Sequence, residues 1–180
     1  MYRLRELDAK DIPAINQWRN DPELISLLGA PFRYINQRVD EKWFEGYMAN
    51  RNSTVRCSIV EESQDEILGL ISLTSIDQLN QSAELHIMIG NQDNQGRGMG
   101  TFAVREMLYH AFCNLNLHRV ELTVMAHNLR AQHLYEKVGF VREGIKRKAR
   151  YKNGTFIDVY CYAILKEEYL LHAQRGTDNE

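Results

Sequence analysis

One change of hydrophobic period limits what this chain can become more than any other feature. From Ala83 to Ile89, small or apolar residues alternate with Glu84, His86 and Met88, as on a strand with two unlike faces. From Thr101 the spacing turns helical: Val104, Met107, Leu108, Ala111, Phe112 and Leu115 form one apolar stripe, opposite Arg105, Glu106 and His110. Between the two, Gly96, Gly98 and Gly100 stand at alternate positions. A glycine-rich turn from strand to helix leaves N–H groups unpaired at the positive end of the helix dipole, a seat for phosphate oxygens, and a pyrophosphate would fit. Glycines also serve tight turns that bind nothing. The spacing is not the dinucleotide GxGxxG, because Thr101 stands where its third glycine would be, and no GxxxxGK[ST] is present.

The other elements follow from the same patterns. Tyr2 to Leu7 predicts a short strand, and Asp8 or Asp11 caps a helix running through Trp18. Further helices are expected near Pro22 to Leu28 and over Asp40 to Met48. Thr54 to Val60 and Ile67 to Ile76 predict strands joined by the polar turn EESQDE, and Val120, Leu122 and Val124 mark another. Asn128 suits the N-cap of a helix whose Ala131, Leu134, Tyr135 and Val138 share a face, with Gly139 ending it in the left-handed conformation. Two strands flank Asn153-Gly154, the dipeptide best suited to a type I′ turn, and a polar tail from His172 is expected to fray. The sum is an α/β domain with a mixed sheet. With 180 residues, 44% of them hydrophobic, the simplest division is one domain over 1–172 and a tail over 173–180.

Several classes are excluded. Lys and Arg number 22 against 24 Asp and Glu, so the net charge of -2 predicts no nucleic-acid partner and leaves room only for a local basic patch. The charged start and the lack of 18 consecutive apolar residues predict a soluble, cytoplasmic chain without a membrane partner. Cys57, Cys113 and Cys161 are far apart and form no CxxC, so buried free thiols are expected rather than disulfides or a zinc site. His110, His118, His127, His133 and His172 show no ligand spacing, and no metal is expected.

Two stretches carry a resemblance. Gln95-Gly96-Arg97-Gly98-Met99-Gly100 matches the Q/R-x-x-G-x-G/A signature of the GNAT superfamily of acetyl-CoA-dependent N-acetyltransferases. Asn128 through Phe140, "NLRAQHLYEKVGF", is similar to the superfamily's N-x-R-A-x-x-L-Y-E-K-x-G-F segment. Within the superfamily, "WRND" at 18–21, "SLTSID" at 72–77 and "LHRVELTV" at 117–124 resemble the RimJ/RimL-like branch, which takes in spermidine and amino-sugar acetyltransferases. The resemblance implies a single-domain GNAT-like fold, with a mostly antiparallel mixed sheet splayed at its fourth strand and helices on both faces.

It also implies where acetyl-CoA, as co-substrate, lies: the pyrophosphate on the amides of Gln95, Gly96, Arg97, Gly98, Met99, Gly100 and Thr101, and the pantetheine arm along Ile87, Met88 and Ile89 like an added strand. Arg97 brings positive charge, Asn128 a hydrogen bond, and Lys137 a group toward the nucleotide end. Tyr135 lies where the family carries its proton-donating tyrosine. Glu84 and His86, two apart on one strand, are the candidates to relay the amine proton, Glu84 first. A bulge in this strand, frequent in the branch, would turn one of the two away. The implied reaction is direct attack of a primary amine on the thioester in a ternary complex. The expected acceptor is a protein N-terminal amine, as on ribosomal proteins, followed by an amino sugar and then a polyamine. A non-catalytic acyl-CoA-binding regulator is the reading from another class, and a homo-oligomer is left open.

Overall fold

The structure is a computed structural model that describes residues 1–90 and 96–177, with side chains described through His172. β1 (Tyr2–Glu6) leads through a 3-10 turn (Ala9–Asp11) into α1 (Ile12–Arg19), followed by α2 (Pro22–Ser26) and α3 (Gln37–Ala49). Then come β2 (Val55–Glu61), β3 (Ile67–Asp77), β4 (Ser82–Ile89) and α4 (Met99–Tyr109), the last extended by a π-helical turn (His110–Asn114). The chain closes with β5 (Arg119–Met125), α5 (Leu129–Val138), β6 (Val141–Lys152), β7 (Thr155–Leu165) and α6 (Lys166–Thr177).

Capping explains most boundaries. Asp8 accepts from Lys10 N while Asp11 accepts from Asp8 N, a reciprocal box that starts the first helical segment. Asp21 accepts from Glu23 N and Leu24 N ahead of Pro22, which needs no donor in a first turn. α3 begins at Gln37 rather than at Asp40 because Asn36 accepts from Val39 N. Asn153 and Gly154 have φ of 47° and 85°, as the type I′ turn between β6 and β7 requires. Where the pattern predicted a fraying tail from His172, the chain continues as helix to Thr177.

The seven strands lie in the order β1-β2-β3-β4-β5-β7-β6. Every pairing is antiparallel except β4 with β5, which run parallel and meet only at Ser82↔Arg119, Ala83↔Val120 and Glu84↔Glu121. Beyond Glu84 the two part: β4 continues on β3 to Ile89, and β5 continues on β7 to Met125. The sheet is therefore splayed at its fourth strand, as expected.

Strand alternation divides the interior. Ile71, Leu73, Leu85, Val120 and Leu122 face a large core with Val104, Leu108 and Phe112 of α4 and its extension, and Tyr135 of α5. Leu7, Ile12, Ile15, Tyr47 and Leu70 form a smaller core on the other face, under α1 and α3. The cysteines depart from expectation: Cys113 is exposed, and Cys57 and Cys161 are half-buried. Cys113 follows Ala111 and Phe112 in the π turn, so its side chain falls outside the stripe they bury.

Candidate active site

The glycines serve two different purposes. Gly96 and Gly98 have φ of 85° and 81°, a conformation that a side chain makes costly. Gly98 is the N-cap of α4, no side chain among the described residues caps it, and a Cβ there would meet open space. The first intrahelical bond runs from Phe102 N to Gly98 O, so the amides of Met99, Gly100 and Thr101 lie ahead of it. Gly100 answers to packing: a Cβ there would sit 2.6 Å from Leu134 Cδ1, so its bareness lets α4 approach α5. Met99 is buried and anchors the turn, and Arg97 is exposed beside it. Gln95 lies outside the described residues.

Ile87, Met88 and Ile89 are half-buried along the part of β4 that has lost β5. Just past them, Trp18 of α1 packs against Gly90: a Cβ at Gly90 would come within 1.8 Å of the indole. The neighbours of Trp18 are committed as well. Arg19 pairs with Asp40, which is fully buried and also accepts from Asn16 at 2.6 Å. Asn20 donates to Ile35 O at 2.7 Å and accepts from Ile35 N at 3.0 Å. "WRND" is thus a clamp that holds the segment before α3 against α1 and α1 against the open end of β4.

Glu84 and His86 project from β4 on the α1/α3 face, opposite to Leu85. Their register against β3 is unbroken (Thr74↔Glu84, Leu73↔Leu85, Ser72↔His86), so both stay on one face, and the irregularity falls on β3 between Thr74 and Asp77, opposite the start of β4. His86 Nε2 lies 3.0 Å from Thr74 Oγ1 and 3.6 Å from Glu84 Oε2. Partial burial holds the imidazole below its usual 6.5; Glu84 acts against that, and Arg56 reinforces it. His86 is consequently neutral at pH 7, with a ring nitrogen able to accept a proton.

Arg56 was not among the residues singled out from sequence. It occupies the same cross-strand row, Arg56↔Ser72↔His86. Its guanidinium lies 4.7 Å from the ring centroid of Trp43 and 5.8 Å from that of Tyr47, both on α3, and it lines a cavity of about 390 Å³ with Glu6, Tyr47 and Arg51. Its buried Nε finds no hydrogen-bond partner among the described residues. Nothing local distinguishes this arginine: its neighbours on the face come from β3, β4 and α3, far away in the chain.

Tyr135 is buried on the opposite face, 5.7 Å from Phe140 and 6.4 Å from Tyr162 between ring centroids. Burial raises its phenol well above 10, so it stays protonated over the physiological range. The structure therefore brings Glu84 and His86 together and sets Tyr135 on the other side of the sheet, with the splay of β4 from β5 between them. Asn128 is engaged at both ends: Oδ1 accepts from Ala131 N and Nδ2 donates to Leu27 O, each at 3.2 Å. Lys137 is exposed in the last turn of α5, where its charge complements the helix dipole.

The chain has a strand splayed from its parallel neighbour and followed by a glycine-capped helix, and the Acetyltransferase (GNAT) domain matches residues 2–141. The chain belongs to the GNAT acetyltransferases. Spermidine N(1)-acetyltransferase of Vibrio cholerae is 31% identical over 168 residues, 93% of this chain and 94% of that protein. An uncharacterized N-acetyltransferase, p20 of Bacillus licheniformis, is 30% identical over 92% of this chain and 93% of its own. The crystal structure of the Vibrio cholerae spermidine N-acetyltransferase in complex with CoA and spermine superposes with a TM-score of 0.87 at 30% identity, covering 94% of this chain and 98% of that one. This GNAT protein is an acetyl-CoA-dependent N-acetyltransferase with acetyl-CoA as co-substrate.

Proposed function

We propose that the acceptor is the α-amino group of a polypeptide, brought to the splay from the Glu84–His86 face. The observation that carries this reading is Arg56, a fixed positive charge in the same row as His86, held against two aromatic rings on the wall of the 390 Å³ cavity with Nη1 3.4 Å from Ser72 Oγ. Peptide carbonyls following an N-terminal amine can accept from such a donor, whereas a polycation would be repelled by it. The strength of the base agrees. An α-amino group of pKa about 7.7 to 8.0 is roughly a tenth neutral at pH 7, against less than about one part in a thousand for an alkylamine near 10.4, so a neutral imidazole beside a carboxylate suffices for the former.

In this reading the amine nitrogen attacks the thioester carbonyl within the splay, its proton passing to His86 or to Glu84, directly or through water. The C–S bond breaks, and the Tyr135 hydroxyl supplies the hydrogen bond, and finally the proton, that the departing thiolate needs. With the phenol raised above 10 and a thiol near 8.5, full transfer is uphill by more than about 2 kcal/mol, so the hydroxyl acts chiefly by donating to charge as it develops. The amides of Gly96 to Thr101 seat the pyrophosphate with Arg97 beside them, Ile87 to Ile89 pair with the pantetheine arm, and Asn128 and Lys137 border it.

A polyamine is the second reading, favoured by the spermidine acetyltransferases to which the chain is similar over nearly its whole length. A thiol-release assay with Ala- and Ser-initiated peptides, a nucleotide-linked amino sugar and spermidine separates the two. The expected result is a peptide kcat/KM at least tenfold above that of spermidine, with Arg56→Met eroding the peptide rate selectively. Faster turnover of spermidine than of any peptide refutes the reading.

A further inference from the structure

The charge of the chain is not evenly spread. Between positions 142 and 158 stand six basic residues and two acidic ones, while the remaining positions hold sixteen basic and twenty-two acidic. β6 is the outermost strand of the sheet, and Arg142, Lys146, Arg147, Lys148 and Arg150 are all exposed on it. None of these five has a carboxylate partner among the described residues. The two acids of the stretch are already engaged, Glu143 by Arg119 at 2.6 Å and Asp158 by the backbone N–H of Lys148 at 2.7 Å.

Charge on an edge strand by itself discourages edge-to-edge pairing and needs no ligand. That purpose does not call for the feature at its end. Tyr151 and Phe156 face each other across the β6–β7 turn with ring centroids 5.0 Å apart, and remain 61% and 64% exposed. A track of unneutralised cations about 17 Å long, five steps of the paired β7 (Tyr162 to Ile157) at about 3.3 Å each because β6 is bulged between Arg142 and Gly144 and between Lys146 and Arg150, thus ends on an open aromatic platform. Phosphates match the first part and base faces the second.

We propose that the outer edge of β6 binds a single-stranded nucleic acid, with its backbone along Arg142 to Arg150 and a base stacked on Tyr151 and Phe156. The site is separate from the acetyl-transfer centre, since β5 and β7 lie between β6 and β4. An overall charge of -2 makes such binding local rather than general.

The test is fluorescence anisotropy of labelled U20 and dT20 strands with the full chain over a series of salt concentrations, the two strands distinguishing RNA from DNA. Neutralising five phosphates predicts that log K falls with log salt at a slope near -3.5, from about -0.7 per single-strand contact. Arg147→Glu with Lys148→Glu should bring the slope to roughly -2 and weaken binding at least tenfold. Tyr151→Ala with Phe156→Ala should weaken binding at least fivefold at an unchanged slope. Thermal midpoints close to wild type confirm that both variants are folded. Binding unaffected by the ring pair, polyglutamate competing as well as U20, or no binding of either strand at low salt overturns the proposal.

Discussion

Gly90→Ala is the sharpest test of how this site is built. The cost comes from contact and not from backbone strain, because Gly90 is not among the residues with positive φ. A Cβ there would lie 1.8, 2.1 and 2.3 Å from three atoms of the Trp18 indole. Carbon atoms settle at about 3.5 to 4.0 Å, so the ring must withdraw by more than about 1.5 Å or β4 must bend away. A rigid ring cannot absorb this by a terminal rotation, as Leu134 could for a methyl at Gly100. Overpacking together with lost indole contacts gives an expected loss of about 3 kcal/mol. Trp18→Ala alone, at a half-buried position, should cost about 2 kcal/mol, and the double variant about 2 rather than about 5. Equilibrium urea unfolding of the four proteins, followed by circular dichroism, measures the cycle. Because Gly90 N donates to Leu68 O at 2.9 Å and so continues β4, the single Gly90→Ala variant should also raise the KM for acetyl-CoA severalfold. Strictly additive costs, or a Gly90→Ala protein within 0.5 kcal/mol of wild type, would falsify the clamp.

Other outcomes follow from individual residues. Tyr135→Phe should lower kcat by roughly 10² while leaving the KM for acetyl-CoA nearly unchanged, since it removes one donor to charge that develops only in the transition state; turnover at the wild-type rate would exclude the phenol as proton donor. His86 is held below its usual 6.5, so the acid limb of kcat/KM should fall below pH 6.5, and Arg56→Met should move it upward by removing a charge that opposes protonation. Between 6.5 and the lowered value, the unfolded chain binds the proton first, so the histidine's contribution to stability diminishes as pH falls through that window. Asp11, nearly fully buried, accepts from Arg5 at 2.7 Å through both oxygens and from Ser58 at 2.6 Å, which holds its carboxyl below 3.8. Asp11→Ala should cost about 2 to 3 kcal/mol, because it leaves the Ser58 hydroxyl unpaired and takes from Arg5 one of its two carboxylates, the other being Asp65 at 2.9 Å. In the parent protein the contribution of Asp11 is full above pH 3.8 and is lost as pH falls through its lowered value, as acid titration of the unfolding free energy would register.

Much of the fold was legible because local chemistry agreed with it. The period change at the glycines, the Asn128 and Gly139 caps and the Asn153-Gly154 turn each specify their geometry within a few residues of chain. The start of α3 was missed because the Asn36 cap precedes an exposed turn, Arg38 and Val39, without apolar periodicity. Cys113 was misjudged because exposure in a π turn depends on a phase that the α-helical period does not carry. At the site, Glu84 and His86 could be paired from their spacing. Arg56 and Trp18 could not, since each acts on distant chain: Arg56 on Trp43, and Trp18 on Gly90.

The sequence by itself determined the family, the glycine-rich turn into α4, and which residue types could move a proton, because these depend on backbone conformation and side-chain chemistry that neighbours in the chain dictate. Only the tertiary structure decided that β4 and β5 separate after three residue pairs, that the phenol and the imidazole lie on opposite faces of the sheet, and that an arginine of β2 shares the face of Glu84 and His86. Those facts arise from packing two cores against one sheet. The register and charge of such an arrangement are set between strands that meet only once the chain has folded.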